Sequence, residues 1–288
     1  MCWICDAKSS LNRSTGYSDG RRGFLLAGGV AAFSSLLPDA AQAQVNVGEA
    51  SAVRRLVPAE QLENAAAQQY RQMMDQARQQ RALAPDSHPQ VRRLRAIARD
   101  LIPHTPPWND RSPRWTWEIN LIENEQINAF CMPGGKIAFY TGILETLQLT
   151  DAEVAMIMGH EMAHALREHA RARLAKTQAT SMGLSLGAQL LGLGDLGNVA
   201  ANLGTQLLSL KYSRDDETDA DLVGLELAAR AAYNPEASVS LWEKMTQRSG
   251  GSSPGFLSTH PSGPNRIREL QANVPKVQGL FEQARRGG

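Results

Sequence analysis

His160-Glu161-Met162-Ala163-His164 sets two imidazoles four residues apart, with a carboxylate beside the first. On a helix of 3.6 residues per turn, positions four apart lie about 40° apart around the axis, so both rings can meet one ion. Glu161 falls one step round, next to the same ion. A catalytic zinc takes three protein ligands and keeps a fourth position for water, whose pKa it lowers to about 7; a nearby base must receive the proton. The pattern points to metal-assisted hydrolysis, with Glu161 as general base.

The third ligand must come from elsewhere. One class of such sites has a histidine six residues after the second, but Ala170 stands there. His169 is one residue short and, on a continuous helix, would lie about 140° round from His164, so it reads as a surface histidine. Glu217 sits in the segment Ser213 to Asp221, flanked by Leu207, Leu210, Leu222, Val223, Leu225 and Leu227, the composition of a buried helix. A carboxylate on such a helix needs a partner. Asp221, one turn on, shares that face and can accept a hydrogen bond from the free ring nitrogen of a ligating histidine, fixing its tautomer. Asp219 points elsewhere and reads as solvated. The expectation is one zinc ion per chain, held by His160, His164 and Glu217, with Asp221 behind it.

The elements that must position these groups are mostly helical. Residues 57–83 and 90–102 carry helical patterns, the second with Val91, Leu94, Ile97, Ala98 and Leu101 on one face. Pro103, Pro106 and Pro107 then break the chain. Alternation from Trp115 to Ile122, a turn at Glu123-Asn124-Glu125, and strand-like runs at Ile127–Phe130 and Lys136–Tyr140 predict a small antiparallel sheet beside the HExxH helix. An exposed strand edge recognises peptide backbone with little demand on sequence, and Asn128, Ala129 and Phe130 are the candidate edge. Thr150-Asp151-Ala152-Glu153 is a capping box that starts the HExxH helix two to three turns before His160. Residues 181–208 are apolar and glycine-rich, but Gln189, Asp195, Asn198 and Asn202 speak against a membrane span, and a mobile helical hairpin near the cleft is expected. Asn234-Pro235 opens another helix.

Four stretches stand out together: Asn128-Ala129-Phe130-Cys131-Met132-Pro133-Gly134-Gly135, Gly159 to His169, Glu217 to Asp221, and Ser258-Thr259-His260-Pro261 with Asn265-Arg266. In this order they resemble the CAAX prenyl protease-like zinc metallopeptidases, in the soluble periplasmic branch of the BepA and LoiP types. The resemblance implies a zincin-like α+β domain, mainly α-helical, with endopeptidase activity. It implies Glu161 as base and His160, His164 and Glu217 as ligands. It also implies that His260 and Arg266 face the site and stabilise the oxyanion. Two donors at a helix entrance can meet the negative charge that develops on a scissile carbonyl. Imidazole is also a good zinc ligand, so His260 could instead close the fourth zinc position in a resting enzyme.

Where the protein works is read from its first residues. Arg21-Arg22 opens an apolar stretch to Leu37, too short to span a bilayer, and Ala41-Gln42-Ala43 is a small-residue cleavage site. This reads as a twin-arginine export signal over residues 1–43, cleaved between Ala43 and Gln44 to give a periplasmic protein. A helical segment at 44–90 and a metallopeptidase domain at 91–288 follow. Cys2 and Cys5 leave with the signal, and Cys131 remains as a buried thiol. Export also removes four of the 30 basic and three of the 29 acidic residues, leaving 26 of each sign. That balance gives no electrostatic reason for a nucleic-acid partner. The expected substrates are unfolded or misassembled envelope proteins, with peripheral contact to a membrane left open and no oligomeric state implied. A periplasmic chaperone with latent proteolysis is the alternative.

Overall fold

The computed structural model describes residues 45–185, 207, 210–248, 256–260 and 265–287. The proposed export signal and most of the glycine-rich stretch expected as a hairpin lie outside these residues. Helix α1 (Ala59–Gln79) and helix α2 (Pro89–Leu101) follow the predicted periodicities. Proline stands in the first turn of α2, where its missing N–H costs nothing, and His88 Nδ1 accepts from Gln90 N at 3.2 Å.

Strands β1 (Glu118–Ile122), β2 (Ala129–Met132) and β3 (Lys136–Tyr140) form one sheet buried on both faces. Because successive side chains alternate, Ile119, Leu121, Ala129, Cys131, Ile137 and Phe139 face a core shared with α2 and the HExxH helix. Ile122, Met132 and Ala138 face α1 through Leu62, Ala66, Tyr70 and Met74. Tyr70 locks that layer, its hydroxyl donating to the Ile137 carbonyl and accepting from Asn120 Nδ2.

The sheet is mixed, which corrects the antiparallel expectation. Its order is β1-β3-β2, with β1 parallel to β3 and β2 antiparallel to it. Sequence neighbours β1 and β2 therefore do not pair; the link between them passes over the end of β3. Asn124 holds that crossing, with its carbonyl accepting from Gly142 N at 2.8 Å and its N–H donating to Thr141 Oγ1 at 3.0 Å. A Cβ on Gly142 would stand 2.2 Å from the Glu125 carbonyl oxygen, so the crossing needs glycine.

After α3 (Thr141–Thr146), helix α4 (Asp151–Leu166) carries the HExxH run. The capping box is present: Thr150 accepts from Glu153 N, and Glu153 accepts from Thr150 N. Helix α5 (His169–Ser185) follows after a turn at Glu168, whose φ is 60°. Helix α6 (Arg214–Arg230) carries Glu217 and Asp221 and opens on a second capping box, Ser213 with Asp216. Helices α7 (Ala237–Arg248), α8 (Phe256–Thr259) and α9 (Arg266–Gly287) complete the described chain. Among the described residues no helix is long and apolar enough to cross a membrane.

The contact that makes the site is between α4 and α6. Gly159 and Gly224 meet where they cross; a Cβ on Gly224 would lie 2.6 Å from His160 N, and one on Gly159 2.8 Å from the Gly224 carbonyl oxygen. Any side chain there would push the helices apart. With none, Glu217 and Asp221 reach the two histidines.

Candidate metal centre and active site

His160, His164, Glu217 and His260 each present a ligand atom within 4.8 Å of the others, and all four residues are buried. His160 Nε2 is 3.1 Å from His164 Nε2. Glu217 Oε2 is 3.6 Å from His160 Nε2, and Glu217 Oε1 is 3.5 Å from His164 Nε2. A tetrahedral ion with ligand bonds of about 2.0–2.1 Å has ligand-to-ligand edges of about 3.3 Å. These separations match those edges, so the donor set fits a small tetrahedral divalent ion. The histidines and Glu217 thus come together as the sequence predicts.

His260 stands at the remaining corner. Its Nδ1 lies 3.0 Å from Glu217 Oε1 and 3.3 Å from His160 Nε2. Its ring stacks on Phe256, with centroids 4.4 Å apart. His260 Nε2 is 3.4 Å from Glu161 Oε1, a buried oxygen with no hydrogen-bond partner among the described residues. A carboxylate oxygen without a hydrogen-bond partner among the described residues, beside a cluster able to hold a metal, is the arrangement a proton acceptor requires.

The electrostatics agree with ligand and base roles. Burial drives the His164 pKa well below its usual value, so the ring is neutral and free to bind metal. Burial also raises Glu161, against the lowering effect of His260 and His160. For Glu217, burial pushes upward, but hydrogen bonds from His164 and His260 and the nearby His160 hold the carboxyl well below the usual range. Burial lowers and the carboxylates of Glu161 and Glu217 raise His260, with a net rise.

Asp221 takes its predicted place behind His160, with Oδ1 2.9 Å from His160 Nδ1. Arg266 differs from its expected role. Its Nε and Nη2 donate to the two oxygens of Asp221 and its Nη1 to Glu217 Oε2 at 2.9 Å, while the guanidinium lies 3.4 Å over the Trp242 ring. Two carboxylates one turn apart on α6 attract the fork, so Arg266 holds the ligand carboxylate and does not line the cleft. Burial raises the Asp221 pKa, but Arg266 and His160 lower it by more, leaving it depressed.

Two expectations on the other side of the site are corrected. His169 is 6% exposed, not a surface residue, and its Nδ1 lies 2.9 Å from His164 Nδ1. The reason is the left-handed Glu168, which ends the straight helix assumed in the sequence argument and swings the ring back. Asp219 is not free in solvent: its Oδ2 meets His169 Nε2 at 3.1 Å and Arg167 Nε at 2.8 Å. Tyr212, absent from the residues expected at the site, stacks on His164 with centroids 3.9 Å apart. No motif marks it; only its closeness to Glu217 in sequence could have drawn notice.

A cleft of about 220 Å³ opens on this cluster, lined among others by Asn128, Ala129, Phe130, Glu161, Tyr212 and His260. It runs along β2, the edge strand predicted from sequence. Asn128 turns its carbonyl to Tyr140 N on β3, so by antiparallel alternation Ala129 and Cys131 turn their backbone groups outward.

Comparison with known proteins agrees with this geometry. The fission yeast mitochondrial metalloendopeptidase OMA1 is 38% identical over 165 residues, covering 56% of this chain and 48% of its own. The human metalloendopeptidase OMA1 is 29% identical over 179 residues, 58% of this chain and 34% of that one. The Escherichia coli β-barrel assembly-enhancing protease is 26% identical over 175 residues, 57% and 36% respectively. The chain thus spans half or less of these relatives' length, and the periplasmic branch expected from sequence is not singled out over the mitochondrial relatives. A family model for peptidase family M48 matches residues 89–274, which takes in every ligand candidate, and the chain therefore belongs to the M48 metallopeptidases.

Proposed function

We propose that this protein is a zinc-dependent endopeptidase that cleaves unfolded or misassembled proteins after export to the periplasm. The observation that carries the reading is the buried two-histidine, one-carboxylate cluster with a Glu161 oxygen that accepts no hydrogen bond among the described residues, beside a cleft edged by β2. Zinc, when bound, supplies a Lewis acid and acidifies its water. Glu161 accepts the proton at Oε1 and returns it to the leaving amine. His260, 3.4 Å from that oxygen, is the donor placed to meet charge on the scissile carbonyl, and Arg266 acts at one remove by holding Glu217. Backbone pairing along Ala129 selects extended, and therefore unfolded, chains.

The test is cleavage of an unfolded envelope protein by the chain beginning at Gln44, beside Glu161→Gln and a chelator control. Glu161→Gln should retain zinc and lose hydrolysis; equal cleavage by the variant removes Glu161 from the role. The export reading draws on Arg21-Arg22 and Ala41-Gln42-Ala43, and the name of the Escherichia coli relative fits an envelope task. Replacing both arginines by lysine should leave the precursor in the cytoplasm; an unchanged periplasmic yield would overturn twin-arginine export.

One observation favours a second reading of His260. Its Nδ1 already occupies the fourth corner, which describes a latent form opened when α8 moves. His260→Ala separates the roles: cleavage rises if the ring is a latch and falls if it is an oxyanion donor.

A further inference from the structure

We infer that His169 and Asp219 are positioning residues for the metal centre, fixing the ring of His164 through a histidine-to-histidine hydrogen bond. The inference rests on the reading that His164 Nε2 is a metal ligand. With Nε2 turned into the cluster, the His164 proton sits on Nδ1. The partner of that N–H is His169 Nδ1 at 2.9 Å, which must then accept. His169 carries its own proton on Nε2 and donates it to Asp219 Oδ2 at 3.1 Å. Arg167 Nε donates to the same oxygen at 2.8 Å, and Arg167 Nη2 bonds to the Gly48 carbonyl.

For neutral rings only this assignment leaves no two donors or two acceptors facing each other. Each ligating histidine thus has its second nitrogen committed, His160 directly to a carboxylate and His164 to a carboxylate one imidazole further away. Both rings of the relay are buried, so no bulk water replaces a lost link. Tyr212, stacked on His164, limits tilting of the ring but offers no acceptor in its plane.

The experiment compares zinc affinity, by competition with a chromophoric chelator, in the parent, His169→Gln and His169→Leu, together with unfolding of each metal-free protein. A glutamine can accept from His164 and donate to Asp219; a leucine can do neither. His169→Leu should weaken zinc about 10- to 100-fold, the range for such outer partners, while His169→Gln stays within about threefold of the parent. Metal-free unfolding should not separate Gln from the parent. Parent-like affinity in His169→Leu, or equal loss in both variants, overturns the relay. Failure of the parent itself to bind zinc instead overturns the metal reading. Should His169→Leu not fold, imidazole nitrogen NMR of the zinc-loaded parent decides: protons on His164 Nδ1 and His169 Nε2 support the relay, and a proton on His169 Nδ1 overturns it.

Discussion

His160 and His164 leave α4 one turn apart and enter the same cluster, yet what stands behind them differs. Behind His160 is a carboxylate gripped by an arginine fork that lies flat on Trp242, all of it buried. Behind His164 is a second imidazole, then Asp219, whose side chain is 18% exposed and whose other partner, Arg167, reaches out to the Gly48 carbonyl. The first arrangement is a clamp: strong, and costly to break because each charge depends on another inside the protein. The second is a chain of neutral and partly solvated links, which transmits less charge and tolerates more change.

Arg266→Ala should break the comparison open most widely. It strips two buried carboxylates of their countercharge and should cost about 3–5 kcal/mol, or roughly 6–20 °C in melting temperature for a domain of this size. Arg167→Ala, its counterpart, should cost about 1 kcal/mol or less. Equal losses in metal-free melting would show that the two supports are not of different kinds.

Gly224→Ala acts on both sides at once, since the new methyl meets His160 N. Overpacking of this sort costs about 1–3 kcal/mol. Zinc affinity should drop along with stability, because His160 and His164 move with α4; a variant that is destabilised but binds zinc normally would argue that the ligands readjust independently of the crossing.

Charge removal without loss of shape gives a finer contrast. Asp221→Asn should weaken zinc about tenfold, and Asp219→Asn about threefold, because its charge reaches the ligand only through His169. Chelator competition reads both, and a larger loss at Asp219 would reverse the ranking.

The smallest effect is a reference point away from the metal. Burial raises the Glu153 carboxyl, but Lys244, Thr150 and Ser240 outweigh burial and hold it below its usual value of 4.5. Its stabilising effect is therefore complete above that value and disappears as pH falls through the lower, folded-state pKa. The gap in urea stability between the parent and Glu153→Gln should be widest near pH 6–7 and narrow below about pH 4.5. A gap that persists unchanged into acid would mean the carboxylate charge contributes nothing.

The parts of the site legible in sequence are those that obey a single helix's period. His160, Glu161 and His164 follow from spacing on α4, and Glu217 and Asp221 from spacing on α6. The alternation that split the sheet into two faces was legible for the same reason. What sequence hid depends on a break in periodicity. His169 was placed by extending α4 through Glu168, which in fact turns left-handed. The strand order was misread because a turn-like Glu123-Asn124-Glu125 fits a hairpin as well as a crossing, and only Gly142 far along the chain distinguishes them. The family resemblance puts Arg266 in the cleft, and its place at a helix start allows that; the carboxylates that draw it away are legible only as a ligand and its neighbour.

The meeting of Gly159 and Gly224 carries a consequence for how the enzyme can be adjusted. A joint made of backbone alone has no rotamers to change, so α4 and α6 share one setting instead of a range of them. Motions at the outer ends of either helix are thereby kept from the three proposed ligands, His160, His164 and Glu217, that they carry together. His260 belongs to neither helix; it sits at the end of the four-residue α8, beyond that joint. The fourth corner can therefore shift while the rest of the centre holds, and, the base Glu161 apart, mutations that alter activity without loosening the metal should gather around Phe256–Thr259.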